Sequence, residues 1–204
     1  MDTAVEMLER RPDSRSGTLR ILGISGSARK NSFNTALLEA AKKLVPPGVV
    51  LETFDVSGLP LFNQDLEAEL PRVVREFKEE IRKADAVLFS TPEHNYSVPA
   101  LLKNAIEWGD RPETDNSWDG KPAAIMSAST GPRGGVRAQM HLRQIMVDLN
   151  MYPINQPQLL VAGAHEKFDP ASNLTDEKVR GRLRDLLYAL VEWTKKLRPD
   201  GIGV

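Results

Sequence analysis

The chain has 204 residues, 27 Lys+Arg against 28 Asp+Glu for a formal net charge of −1, 41% apolar residues and no cysteine. That length and apolar content suit one domain with a real core rather than a disordered chain. The balanced charge argues against an extended nucleic-acid footprint, and the missing thiols exclude disulfides, cysteine nucleophiles, Cys-ligated zinc and iron–sulfur clusters.

Residues 1–17 read as a polar arm ending in Arg10-Arg11-Pro12-Asp13-Ser14-Arg15-Ser16-Gly17, and 198–204 as a short tail, leaving a domain over 18–197. The N-terminal segment has neither the apolar stretch of a secretory signal nor the acid-poor pattern of a transit peptide, and no apolar run reaches membrane-spanning length, so a cytoplasmic protein is expected. Between the tails, short apolar runs alternate with helical periods. Leu19 to Ile24 predicts a first strand, followed by a Gly/Ser loop and a helix over 34–44 carrying Leu37, Leu38, Ala41 and Leu44 on one face. Val49 to Asp55 is a second strand, and Pro71 to Lys83 a helix with a solvated Arg/Glu face and Val74 and Phe77 turned inward. Ala86 to Ser90 is continuously apolar, as a strand buried on both faces should be. A helix over 99–108 follows, with Ser97 as its N-cap. Ala123 to Met126 is a fourth strand, 134–150 a fourth helix, Leu159-Leu160-Val161 part of a fifth strand, and 175–197 the last helix.

Strands alternating with helices in this way require a parallel sheet covered on both faces, a doubly wound α/β domain. Ligands of such domains sit beyond the carboxyl ends of the strands, so the loops after strands one, three and four carry the function. Loop one, Gly23 to Asn34, offers the hydroxyls of Ser25, Ser27 and Ser32, the Asn34 amide, the Arg29 fork and the positive end of a helix, a donor set suited to a terminal phosphate. It is not a Walker loop, since no Gly-Lys-Ser/Thr occurs. It also lacks the second glycine of a dinucleotide fingerprint, and Gly23-Ile24-Ser25-Gly26-Ser27 misses the last glycine of a hydrolase elbow. Loop two, Thr91 to Pro99, is stiffened by prolines and presents Glu93, His94, Asn95 and Tyr96, groups able to address the edge and face of a flat heteroaromatic ring. Loop three, Ser127-Ala128-Ser129-Thr130-Gly131-Pro132-Arg133-Gly134-Gly135, has glycines that let backbone N–H groups approach a ligand and stabilise negative charge on it. The three histidines, His94, His141 and His165, are not at ligand spacing, and no metal site is expected.

Two stretches, Gly26-Ser27-Ala28-Arg29-Lys30-Asn31-Ser32-Phe33-Asn34 and Thr91-Pro92-Glu93-His94-Asn95-Tyr96-Ser97-Val98-Pro99-Ala100-Leu101-Leu102-Lys103-Asn104-Ala105-Ile106-Glu107-Trp108, resemble the NADPH-dependent FMN reductase family, in its chromate/quinone reductase and azoreductase branch. The resemblance covers roughly residues 18–195. It implies a flavodoxin-like three-layer sandwich with a five-stranded parallel sheet in the order 2-1-3-4-5. It also implies bound FMN, NADPH or NADH as co-substrate, and two-electron transfer by a ping-pong mechanism to quinones, azo compounds, flavin or chromate. Carried over by residue, Ser27, Arg29, Ser32, Phe33 and Asn34 would hold the phosphate. Pro92, Glu93, His94, Asn95 and Tyr96 would line the ring, with Ser127, Ser129, Gly131, Gly134 and Gly135 bordering ring and ribityl chain. His94 stands where many relatives carry Tyr, and Arg133-Gly134-Gly135 matches the family's glycine loop only loosely.

The cofactor carries the chemistry, so no protein nucleophile, acid or base is nominated. Tyr96, Arg111 and Arg133 are candidates for substrate contact, the arginines for an additional nicotinamide phosphate. The fourth helix has two apolar stripes, Val136, Met140 and Val147 on one side and Leu142, Ile145, Met146 and Leu149 on the other, which together with the resemblance points to a homodimer or homotetramer. The stretch Trp108-Gly109-Asp110-Arg111 is a candidate place for a neighbouring chain to wall the pocket. The alternative function is an FMN-binding electron carrier without its own nicotinamide turnover, which a net charge of −1 supports poorly because carriers dock through acidic faces.

Overall fold

Strand β3 (Ala86–Ser90) is buried at all five positions and β4 (Pro122–Ala128) at all seven, the signature of strands covered on both faces. In the computed structural model, which describes residues 17–197, they lie at the centre of a sheet completed by β1 (Leu19–Ser25) and β2 (Val49–Phe54). The expected arm, Gly17 apart, and the expected tail lie outside the described residues. The strand order is β2-β1-β3-β4-β5 and every pairing is parallel. This is the doubly wound sheet expected from the alternation of elements.

The fifth position differs from the single strand expected there. Two short segments share it: β5 (Tyr152–Pro153) runs beside Pro122–Ala123, and β6 (Leu159–Val161) beside Met126–Ala128. Between them lies a polar stretch with Pro157, and proline cannot donate to a continuous ladder. Side chains of the fourth helix occupy the gap instead, Arg143 Nη1 donating to Ile154 O at 2.9 Å and Gln139 Nε2 to Leu159 O at 2.9 Å.

Helices α1 (Phe33–Lys42) and α5 (Glu177–Leu197) cover one face through Leu37, Leu38, Leu183, Leu187 and Leu190. Helices α2 (Arg72–Lys83), α3 (Ala100–Asp110) and α4 (Val136–Asp148) cover the other through Phe77, Ile81, Leu102, Ile106, Leu142 and Met146. The α4 stripes separate as their spacing suggests. Leu142, Met146 and Leu149 are buried, whereas Met140 and Val147 are 54% and 79% exposed. Helix α4 starts at Val136 rather than 134, because Gly134 and Gly135 take φ of +61° and +87°. It ends at Asp148 rather than 150, close to Asn150 with φ +53°.

Ser97 does not cap α3. Pro99 holds the N-cap position with no side-chain hydrogen bond, and Ser97 Oγ lies 2.9 Å from His141 Nδ1. Nor is the polar face of α2 wholly solvated. Lys78 is fully buried and donates to the carbonyls of Gly109, Arg111 and Asp115 at 3.2, 2.6 and 2.7 Å, so its ammonium closes the C-terminal end of α3. Burial lowers its pKa from the ordinary lysine value, against the opposing pull of Asp115. At the same pole Lys121, also buried, donates to Arg82 O and Ala84 O at the end of α2.

Candidate active site

The carboxyl ends of β1, β3 and β4 stand side by side, with Ser25 beside Ser90 and Ser90 beside Met126. Their loops therefore meet at one edge. Gly26 N donates to Ser90 O at 2.8 Å, and a Cβ on Gly26 would meet Pro92 and Pro99 at 3.2 Å, so loops one and two are in contact. Gly135 brings in loop three: a Cβ there would lie 2.8 Å from Ser127 Cβ and 3.7 Å from Thr91 O. Only glycine fits that approach and that φ.

In loop one, Ser32 is the N-cap of α1, its Oγ accepting from Asn34 N at 3.2 Å and Thr35 N at 3.4 Å. Phe33 faces the core against Phe168, with ring centroids 5.3 Å apart. The Asn34 side chain is committed internally: Nδ2 donates to Ala128 O, and Oδ1 accepts from Ala128 N and Ser90 Oγ. Asn34 thus shapes the loop by tying α1 to β3 and β4. Ser27 accepts from Arg29 N at 3.4 Å, while Arg29 is exposed with its guanidinium 5.7 Å from the Phe33 ring. Among the described residues, the backbone N–H groups of Ala28, Lys30 and Asn31 have no protein acceptor. Helix α1 also has no acidic residue in its first turn. Free donors, two exposed cations and an uncompensated helix end form a seat for an anion.

Loop two turns back at Asn95 and Tyr96, with φ of +46° and +69°, and is closed by His94 N to Ser97 O at 3.0 Å and Ser97 N to His94 O at 2.9 Å. Two consecutive non-glycine residues in the left-handed region are uncommon and belong to a two-residue turn closed at its base. Pro92 is half-buried and packs near Gly26, whereas His94, Asn95 and Tyr96 are exposed. Glu93 points the other way. Helix α4 has Gly135 as its N-cap and no acid in its first turn, and the Glu93 carboxylate takes the missing place, accepting from Arg137 N at 3.0 Å and from the Arg137 guanidinium. Burial alone would raise the Glu93 pKa, but the hydrogen bonds from Arg137 prevail and hold it below the ordinary glutamate value. The positive end of α4 is thus occupied by the protein's own carboxylate, while that of α1 is left for a ligand.

In loop three Ser127 Oγ donates to Gly134 O at 2.5 Å and accepts from Gln139 Nε2 at 2.7 Å. Ser129 Oγ accepts from Gly131 N at 3.1 Å. Arg133 is exposed at the same edge. The structure does not bring Arg111 there. It follows the far end of α3, eleven helical residues or roughly 16 Å from Pro99, and its guanidinium is held by Glu67 and Glu113 at 2.7 and 2.9 Å. In the stretch 108–111, Trp108 is fully buried, its Nε1 donating to Pro60 O, and Gly109 lies against Trp118, while Asp110 and Arg111 are half-buried. Sequence reasoning missed Arg137, whose partner Glu93 lies 44 residues away. The signal available was Glu93, an acid beside a loop whose helix supplies none.

The fold is a doubly wound α/β domain with three loops meeting at one edge of its sheet. The family model for NADPH-dependent FMN reductase matches residues 19–166, and the chain belongs to that family. It is 47% identical to the NAD(P)H-dependent FMN reductase of Pseudomonas aeruginosa over 90% of this chain and 99% of that protein. It is 45% identical to the NADPH:quinone oxidoreductase of Arabidopsis thaliana over 88% and 94%. Among solved structures, FerB, a flavoenzyme NAD(P)H:(acceptor) oxidoreductase from Paracoccus denitrificans, superposes with a TM-score of 0.82 at 34% identity, covering 88% of this chain and 98% of that one. The protein is therefore an oxidoreductase that works with FMN and NAD(P)H as electron donor. The residues present fit the phosphate of FMN: loop one leaves backbone donors free beside two exposed cations. No described helix is long and apolar enough to cross a membrane.

Proposed function

We propose that the protein is a cytoplasmic NAD(P)H:quinone reductase working by a ping-pong mechanism, with quinones as the leading acceptors and azo compounds, flavin and chromate as further ones. The observation that carries this reading is the convergence of three loops on one edge, with an anion seat at loop one and an open, exposed rim at Asn95–Tyr96. Bound FMN would supply reversible two-electron exchange between nicotinamide and acceptor.

The chain's own part is binding and orientation. Ser27, Arg29 and the free N–H groups of loop one would hold the phosphate. Ser32, Phe33 and Asn34 fix the loop's shape by capping α1, packing into the core and bonding Ala128. Pro92, His94, Asn95 and Tyr96 would border the ring on one side, and Ser129, Gly131, Gly134 and Gly135 on the other, with Ser127 holding the glycine turn. Nicotinamide and acceptor would use the same open face in turn, which requires the first to leave before the second binds. Arg133, exposed at that edge, would meet the additional phosphate of NADPH. The exposed Met140–Val147 stripe of α4 would be covered in a homodimer or homotetramer. The quinone reductases named among the relatives, including the 2-hydroxy-1,4-benzoquinone reductase of a Burkholderia species at 37% identity, support the choice of acceptor class.

The test is the visible spectrum of the purified protein, followed by anaerobic addition of NADPH and then of 1,4-benzoquinone. A bound-flavin band that bleaches within seconds and returns with the quinone is expected. A flavin that NADPH and NADH leave oxidised, but dithionite reduces, would sink the reductase reading in favour of a carrier.

A further inference from the structure

The Tyr96 turn is held in a way that flavin binding does not explain. Its base is closed by the two His94–Ser97 hydrogen bonds, but its tip carries two left-handed non-glycine residues and a ring in a residue 64% exposed. A two-residue turn closed in this way takes positive φ at both central positions, a cost for the tyrosine that a contact from outside the turn helps to offset. The outside contact is Arg137, whose guanidinium lies 3.6 Å from the centroid of the Tyr96 ring. Arg137 is fixed in turn, because its backbone N–H and its guanidinium both bond Glu93, three residues before Tyr96 in the same loop. The first turn of α4, the start of loop two and the tip of loop two thus form one closed circuit.

We infer that Arg137 is a positioning residue, braced by Glu93, that holds the Tyr96 ring in place with one face covered by the guanidinium and the other open as a stacking surface for the planar acceptor. A ring already fixed loses little rotamer freedom when an acceptor stacks on it, so binding is strengthened without a new contact. The role needs a planar cation. A lysine would keep the charge but could neither lie flat on the ring nor bond Glu93 through a fork. This inference rests on the quinone-reductase reading for the identity of the acceptor, but the circuit itself is a property of the chain alone.

Two measurements test it on the full-length protein. Amide hydrogen exchange without added FMN should rise at least fivefold at His94 and Ser97 in R137A, while the amides of Met140 to Met146 change less than twofold. In the FMN-loaded enzyme, R137A should raise the KM for 1,4-benzoquinone about five- to twentyfold with kcat lowered less than twofold. R137K should behave as R137A, and R137A combined with Y96A no worse than Y96A alone. Unchanged exchange at His94 and Ser97, or equal loosening along α4, would overturn the positioning role. So would a KM restored by lysine, or losses that add in the double variant. If R137A does not fold, R137K carries the same tests. A wild-type flavin that NADPH leaves oxidised would remove the acceptor assignment, while the exchange result would still decide the circuit.

Discussion

Asn34 bonds Ala128 as a neighbouring strand would, its Nδ2 donating to Ala128 O and its Oδ1 accepting from Ala128 N, both at 2.9 Å. One side-chain amide thereby continues the ladder past the end of β3 to the last residue of β4, and fixes where loops one and three stand relative to each other. Replacing it with alanine leaves the N–H and C=O of Ala128 short of partners in a buried place, while the Ser90 hydroxyl keeps its bond to the Asn34 backbone carbonyl. Asn34→Ala should lower stability by about 2–4 kcal/mol, given ~1–3 kcal/mol per stranded buried polar group. Chemical denaturation measures it, and FMN affinity should fall in parallel because the anion seat loses its anchor.

Arg29 is an exposed cation beside loop one's free N–H groups, and among the described residues no acidic side chain pairs with it. A charge-assisted bond to a phosphate contributes ~1.5–3 kcal/mol, so Arg29→Ala should weaken FMN retention by about one to two orders of magnitude with little change in melting temperature. Titration of the flavin-free protein with FMN, followed by fluorescence quenching, gives the affinity directly. Unaltered binding would remove Arg29 from the phosphate seat.

At Gly135 the prediction is steric. A methyl group there would press on Ser127 Cβ at 2.8 Å in a backbone conformation with φ +87°. The left-handed region alone costs an L-residue ~1–2 kcal/mol. Gly135→Ala should therefore destabilise the protein by about 2 kcal/mol or more and loosen FMN, whereas Gly181→Ala, open on α5, should not destabilise it. Thermal melts of the two variants side by side make the comparison.

The Glu93 carboxylate has a pKa in the folded protein below the ordinary value of 4.5. It therefore adds stability that is fully present above that value and is lost as pH falls through the folded pKa. Glu93→Gln should cost about 1–3 kcal/mol at neutral pH, where the charged bonds to Arg137 are intact. The deficit relative to wild type should shrink on acidification below about pH 4.5. Denaturation curves collected from pH 7 down to the acid limb would show the two proteins converging.

How far the sequence speaks depends on the range of the interaction. Ala86 to Ser90 reads as a central strand because its apolar character is continuous, and loops one, two and three are legible because each directly follows such a run. The amphipathic period of α2 is equally local, yet the same period also places Lys78 on the buried stripe, four residues after Val74 and three before Ile81. Residue type concealed what spacing disclosed: a lysine reads as solvated until the carbonyls of Gly109, Arg111 and Asp115 are seen around it. Long-range partners are harder still. Asn34 and Ala128 are 94 positions apart, and Glu93 and Arg137 are 44 apart, so the amide looked like a ligand group and the carboxylate like a ring contact. Arg111 misled for the same reason, its guanidinium being engaged by Glu67 from across the helix layer.

The divided outer position of the sheet has a consequence for the protein in concentrated solution. In β5, Tyr152 N and, just past its end, Ile154 N turn inward to Lys121 O and Ala123 O. The residue between them is Pro153, so the one N–H that would face outward from β5 does not exist. With that donor missing and the remaining run only three residues long in β6, this edge of the sheet offers a second chain little to pair with. The protection of this flank comes from a proline and a short strand, so it does not depend on the ionisation of any side chain.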